Sequence, residues 1–347
     1  MKNIQIRKIL VIRLSSIGDI VLTTGFLRIL RKKYPNSKID FMIYNQFISI
    51  IENNPAVDEI ISFEKNPSES VISAAKSKIL KKQGKYDIVF DLHNNSSSNK
   101  ISRDLSENIL KIDKRRLYKI CMVWFKKGKG EAYKGIHDIY VEPLKNFDIS
   151  DDKLGLEFWL SSDKDRMKYM PYERNFIHKG LINIVVAPGA HYKTKRWNYV
   201  NYAHLIRKLK PVTDKITIIG GAGDSEIADK ITELNPGVIN LCGKNDLTGT
   251  CEEINKSDLV ITNDTGVMHI AAARKVPVAA FFGSTVREFG FEPYGVKHLI
   301  IESDQCCRPC THIGRNFCPL IHFKCMNDIT PDFAYMKITD FIRSIYL

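Results

Sequence analysis

The chain has 347 residues, of which 44% are apolar and 26% charged, and a formal net charge of +13. This is globular composition, which excludes collagen-like and disordered classes, and at about 150 residues per domain the length predicts two domains. No run of about 18 apolar residues occurs, so no membrane span is expected, and Arg13 and Asp19 break up the apolar start in a way that argues against a signal peptide.

A cytoplasmic chain with reduced thiols follows as the expectation. The charge is uneven: residues 1–170 hold 31 basic and 21 acidic side chains, net +10, and the rest hold 21 and 18, net +3. Within the first part, Lys100–Lys134 has 11 basic against 4 acidic residues. An anionic partner is therefore expected for the first half, whether nucleic acid, an acidic membrane surface or an anionic substrate.

In chain order, Lys8–Arg13 reads as a buried strand, and Asp19 to about Lys33 as a helix with a basic last turn before Pro35. Strands are predicted at Ile39–Tyr44, Glu59–Phe63 and Tyr86–Leu92, with a helix over Ser68–Lys82. The pattern lapses over residues 135–180, which suits a crossover between domains. It restarts with strands at Ile182–Ala187, Lys215–Ile219, Val238–Cys242, Leu259–Thr262 and Val276–Phe282. Helices are predicted over Asn198–Leu209, from Asp224, near Cys251 and from Thr265, and an amphipathic segment, Asp332–Tyr346, closes the chain. Alternating strands and helices predict two doubly wound α/β domains, with ligands at the strand C-termini in the cleft between them.

Four strings sit at such strand ends. Arg13-Leu14-Ser15-Ser16-Ile17-Gly18-Asp19 joins the first strand to the first helix; on its own it favours Asp19 as a helix cap. Ala187-Pro188-Gly189-Ala190 leads through Lys193 and Lys195 to Arg196-Trp197, a phosphate cradle or an ordinary basic loop. Gly220-Gly221-Ala222-Gly223-Asp224-Ser225-Glu226 offers carboxylates to ribose hydroxyls, and Asp224 serves equally well as a cap. Asn263-Asp264-Thr265-Gly266-Val267-Met268-His269 opens a small-residue helix whose N-terminus can take an anion, with His269 one turn along. Neither GxGxxG nor Walker A is present, so nicotinamide, flavin and P-loop sites are not supported.

Together the four strings resemble glycosyltransferase family 9, the ADP-heptose–lipopolysaccharide heptosyltransferases. FFGST after Pro277, the Pro293-Tyr294-Gly295 turn and the Cys-rich tail extend the similarity over about residues 7 to 330. The resemblance implies a GT-B fold of two Rossmann-like domains facing a central cleft. The expected organisation is an acceptor domain over 1–160, a linker over 161–180 and a nucleotide-sugar domain over 181–330. A helix over 331–347 is expected to pack back on the first domain. The implied reaction is inverting, metal-independent transfer of heptose from ADP-heptose to an inner-core lipopolysaccharide sugar, with Asp19 as general base rather than a mere cap. Ser15, Ser16 and Gly18 would support the base. Lys195, Glu226, Asp264, Thr265, Gly266 and His269 would bind the donor. The alternatives are another sugar nucleotide or acceptor within the family, or a GT-B sugar-nucleotide epimerase or hydrolase.

In this frame the basic half meets an anionic lipid-linked saccharide, placing the chain on the inner face of the cytoplasmic membrane. Nucleic acid falls away, since no nucleic-acid module is present. Lys114, Arg115, Arg116 and Lys119 alternate with Leu117, Ile120, Trp124 and Phe125, which reads either as a lipid-interface helix or as a solvated basic helix with a core side. Cys307, Cys310, Cys318 and Cys325 have ligand-like residue types at irregular spacing, and free thiols are favoured over structural zinc. No cofactor is expected. Asp163-Lys164-Asp165 spells DxD but reads as solvated linker.

Overall fold

The computed structural model describes residues 6–126, 132–163 and 180–346. The expected linker lies almost wholly outside them, as do Lys127, Lys129, Lys164 and Asp165. The chain divides into two compact units, Met1–Lys114 with Ile136–Pro171, and Arg115–Gly135 with Tyr172–Leu347.

Unit 1 runs β1 (Lys8–Ile12), α1 (Ile17–Leu22), α2 (Thr24–Lys33), β2 (Lys38–Tyr44), β3 (Glu59–Phe63), α3 (Glu69–Gln83), β4 (Ile88–Asp91), α4 (Ser96–Ser102) and β5 (Ile109–Lys111). The chain then forms α5 (Arg116–Phe125), which belongs to unit 2, and returns with α6 (Ile136–Val141). The five strands form a parallel sheet in the order β3-β2-β1-β4-β5. The run KILVI of β1 and IVFD of β4 are almost wholly buried, as strands covered on both faces must be.

Unit 2 continues with β6 (Ile182–Ala187), α7 (Tyr199–Leu209), β7 (Thr213–Ile218), α8 (Ser225–Glu233), β8 (Ile239–Asn240), α9 (Leu247–Asn255) and β9 (Leu259–Asn263). It ends with α10 (Gly266–Ala273), β10 (Val278–Phe282), β11 (His298–Glu302), α11 (Lys324–Asn327) and α12 (Pro331–Tyr346). Its sheet is also parallel, in the order β11-β10-β9-β6-β7-β8. In each sheet the strand order reverses beside the first strand, between β1 and β4 and between β6 and β9. Those reversals open crevices at the strand C-termini, where doubly wound folds bind ligands.

The closing helix differs from its expected position. Ala334 and Ile338 of α12 join the core of unit 2, with Tyr335, Phe341, Ile342 and Tyr346 packed against it. The apolar stripe seen in the sequence is satisfied by α7 and β11, the elements beside it. Asp163 also departs from the solvated reading: it is buried, and Oδ2 accepts the Leu160 N–H at 2.9 Å.

One buried ion cluster fixes the last segment of unit 1 to its second helix. Arg28 is 3% exposed and binds Asp152 through two hydrogen bonds of 2.9 and 2.7 Å, Glu157 at 2.9 Å and the Gly155 carbonyl at 2.9 Å. Glu157 in turn accepts the Trp159 indole N–H. Removing the cation would strand the buried Glu157 carboxylate, so Arg28→Ala is expected to destabilise unit 1 by about 3–5 kcal/mol in urea denaturation. A change below about 1 kcal/mol would show that the cluster contributes little.

Candidate functional site

In unit 1 the chain leaves β1 at Arg13 and turns into α1 with Ser16 as N-cap and Asp19 as the third helical residue. Asp19 thus faces back toward the cap instead of being it. Its Oδ2 accepts the Ser16 hydroxyl at 2.7 Å and, more distantly, the Ser16 N–H at 3.4 Å. Oδ1 accepts the Arg13 guanidinium and the Tyr140 hydroxyl, both at 2.8 Å. Arg13 is itself anchored by the Leu92 carbonyl at 2.6 Å and lies over the Tyr140 ring. Burial alone would raise the Asp19 carboxyl, but the Arg13 charge and the Ser16 and Tyr140 hydrogen bonds outweigh it and hold it at about 2. Tyr140, buried beside a carboxylate, is held well above its ordinary value and is a neutral donor. The carboxylate is therefore ionised and fixed in orientation, and its side chain keeps 19% exposure to approaching groups.

His93, just beyond β4, stands in the same neighbourhood. Burial first, then the Arg13 and Lys114 charges, lower its pKa to about 3, so the ring is neutral at physiological pH. Its buried Nδ1 has no hydrogen-bond partner among the described residues. Neither His93 nor Tyr140 was identified from the sequence. Tyr140 is 121 residues from Asp19 and carries no local motif, whereas the adjacency of β1 and β4 could have drawn attention to His93.

In unit 2 the loop after β6 and the end of β9 form one rigid assembly around Asn263. Its amide donates to the Pro188 and Gly189 carbonyls at 2.8 and 3.1 Å, and its oxygen accepts the Trp197 N–H and Tyr202 hydroxyl, both at 3.1 Å. Trp197 stacks on Phe281 with centroids 4.2 Å apart and donates its indole N–H to the Ile329 carbonyl. At Gly189 a Cβ would stand 2.1 Å from Cγ of Asp224, so only glycine lets the two loops approach so closely.

This frame brings Lys195 against Asp264. Nζ lies 2.7 Å from Oδ2, with the side chains 16% and 8% exposed, and the Thr285 hydroxyl donates to the same oxygen at 2.6 Å. Thr265, not Asp264, is the N-cap of α10, and its side chain makes no capping hydrogen bond. Thr265 and Gly266 are partly exposed, while His269 is buried one turn along. Lys195, Asp264, Thr265 and Gly266 are thus gathered at one strand end, with a cation and a helix N-terminus side by side. Glu226 differs: its side chain is 81% exposed and pairs with Lys230 at 2.6 Å. Asp224 is the N-cap of α8, and its carboxylate accepts the Gly221 N–H. Sequence reasoning missed Asn263 as the clamp and Thr285 as a partner of Asp264.

The eight cysteines are free thiols. Among the described residues no three His, Cys, Asp or Glu side chains are arranged to hold a metal ion. Burial raises the thiols of Cys310 and Cys325, the latter to about 11. The loop that follows Cys310 braces the Lys195 turn: the Thr194 N–H donates to the Arg315 carbonyl at 3.0 Å, and the Arg315 N–H donates to the Thr194 hydroxyl at 2.9 Å.

The profile of glycosyltransferase family 9 (heptosyltransferase) matches residues 77–320. Lipooligosaccharide heptosyltransferase 2 of Campylobacter jejuni is 25% identical over 338 residues, spanning 95% of this chain and 97% of its own. Lipooligosaccharide heptosyltransferase 2 of Haemophilus influenzae is 27% identical, spanning 81% and 84%. The crystal structure of the glycosyl transferase family 9 protein from Veillonella parvula superposes with a TM-score of 0.69 at 25% identity, covering 86% of each chain. ADP-heptose LPS heptosyltransferase II of E. coli shares the fold, with a TM-score of 0.68 at 21% identity over 97% and 99% of the chains. The two parallel α/β units are those of a GT-B glycosyltransferase, and the chain belongs to glycosyltransferase family 9.

Proposed function

We propose that this enzyme transfers a heptose from ADP-heptose to an inner-core sugar of a lipopolysaccharide, with inversion and with Asp19 as general base. The observation that carries the reading is the state of Asp19: an ionised carboxylate, oriented by three side chains, at the C-terminal end of a parallel sheet. The names of the similar proteins, lipooligosaccharide and lipopolysaccharide heptosyltransferases, support the donor and acceptor classes.

In this reading the acceptor oxygen bonds to the anomeric carbon as the bond from that carbon to the diphosphate breaks. The hydroxyl proton passes to Asp19 and the nucleoside diphosphate leaves. Oδ1 already accepts two strong donors, whereas Oδ2 has one short hydrogen bond and the long one from Ser16 N–H. Oδ2 is therefore the oxygen that takes the proton. A carboxylate held at about 2 is a weak base, so the proton moves late, after bond formation has made the acceptor oxygen acidic. Lys195 uses one donor on Asp264 Oδ2 and a longer one, 3.4 Å, on the Asp264 carbonyl, and turns its third to the diphosphate, joined by the N-terminal amides of α10. Glu226 would reach the nucleotide only by giving up Lys230, and His269 would line the diphosphate side. The charge of the leaving group thus falls to Lys195 and the helix, and transfer is expected to persist in the presence of a chelator.

Asp19→Asn is expected to keep thermal stabilisation by ADP while losing transfer by about 10²–10⁴-fold. Normal turnover would remove the base assignment. Lys195→Ala should raise the KM for the sugar nucleotide more than it lowers stability; unchanged donor kinetics would place the diphosphate elsewhere. Stronger stabilisation by UDP or GDP than by ADP would overturn the donor.

Because folding lowers the Asp19 carboxyl from its ordinary 3.8 to about 2, its contribution to stability is complete above 3.8 and lost as pH falls through 2. Wild type should lose about 2 kcal/mol more than Asp19→Asn across that window in denaturation experiments. Equal acid sensitivity of the two proteins would contradict the depressed value.

A further inference from the structure

Helix α5 has two apolar sides where one would be expected. Met122 is fully buried against Val286 and Phe289, with Tyr118, Val123 and Phe291 packed around them. On the other side Leu117, Ile120, Trp124 and Phe125 are 79%, 49%, 74% and 70% exposed. A helix apolar all round normally lies inside a protein or at a lipid boundary. A second exposed apolar group lies on the Cys-rich loop of the same unit, where Ile313, Phe317, Leu320 and Ile321 are between 51% and 87% exposed. The two segments are tied together, because Lys126 at the end of α5 donates to the carbonyls of Cys307 and Pro309.

The charge around these side chains identifies what covers them. Lys114–Lys129 contains seven basic residues and no acidic one, and Gln305–Asn327 contains three and none, although Arg308 among them is buried against Glu302. With 39 acidic residues in 347, two such segments of average composition would hold about four. A protein partner does not require acidic residues to be absent from both segments, whereas an anionic bilayer repels every one of them. Aromatic and aliphatic side chains flanked by Lys and Arg are also the composition of helices that lie in the headgroup boundary. No described helix is long and apolar enough to cross a membrane, so contact would be from one side.

We propose that α5 and the loop Ile313–Ile321 together dock unit 2 onto an anionic lipid surface. The apolar side chains enter the interface and the exposed Arg116 and Lys324 meet the headgroups, while Lys126 holds the two segments together. The proposal shares with the functional reading a lipid-linked acceptor, but it is tested without any sugar.

The full chain should sediment with vesicles of phosphatidylcholine mixed with phosphatidylglycerol, weakly with phosphatidylcholine alone, and less as salt rises. Trp124 is exposed while Trp159 and Trp197 are buried, so binding should shift tryptophan emission to the blue. Trp124→Ser with Phe125→Ser, and separately Phe317→Ser with Ile321→Ser, should each weaken partitioning by about tenfold or more. Both variants should retain their circular dichroism and their stabilisation by ADP. Equal binding to neutral and anionic vesicles, no binding, or wild-type binding by both variants would overturn the proposal. So would concentration-dependent dimerisation, abolished by the same variants in a protein that ignores vesicles, since a second copy would then be the occupant.

Discussion

A charge taken out of water must be paired, and three such pairings organise this enzyme. Arg28 with Asp152 and Glu157 fixes the last segment of unit 1, Arg13 with Asp19 fixes the carboxylate proposed as base, and Lys195 with Asp264 fixes the cation proposed to meet the donor. Only the first serves no proposed chemistry, and its cation, 3% exposed, is the most deeply buried of the three. In the other two an ion keeps an opening to solvent, with Asp19 19% and Lys195 16% exposed. The proposed chemistry uses that opening, because a partner that replaces water there meets a group already desolvated and oriented. The same constraint explains why neither pair is isolated: Tyr140 and Ser16 complete one, and Thr285 completes the other.

The long elements were legible because parallel strands buried on both faces read as continuous apolar runs, as in β1, β6 and β9. Short ones were not. Ile109–Lys111 has three residues at a sheet edge, and His298–Glu302 is edge strand with mixed burial, so neither shows a period. Helices α4 and α6, of seven and six residues, are held by capping and by tertiary packing instead of by an apolar stripe. The closing helix was legible as a helix, but its partner was not, because amphipathicity tells which side is buried and not against what.

Within the candidate site, the residues seen in the sequence are those that share a strand end with a glycine or a cap. Asp19, Lys195, Asp264 and Thr265 all belong to short strings with a turn chemistry of their own. Tyr140 and His93 reach Asp19 and Arg13 only through folding, and no spacing rule connects residues 121 positions apart. Asp224 and Glu226 were indistinguishable as carboxylates after a glycine loop, and burial separates them: one fills the space above Gly189 and the other points to solvent.

The loop between β6 and α7 is held at both ends by hydrogen bonds to its main chain, through Pro188, Gly189 and Trp197, from the single side chain of Asn263. His191 projects into solvent from this clamped backbone, while the Tyr192 ring packs against Gly314. A loop built in this way separates shape from recognition. An exchange at the exposed His191 therefore leaves the clamped carbonyls and the Lys195 turn where they are, so the surface of this loop can change without the fold having to be relearned.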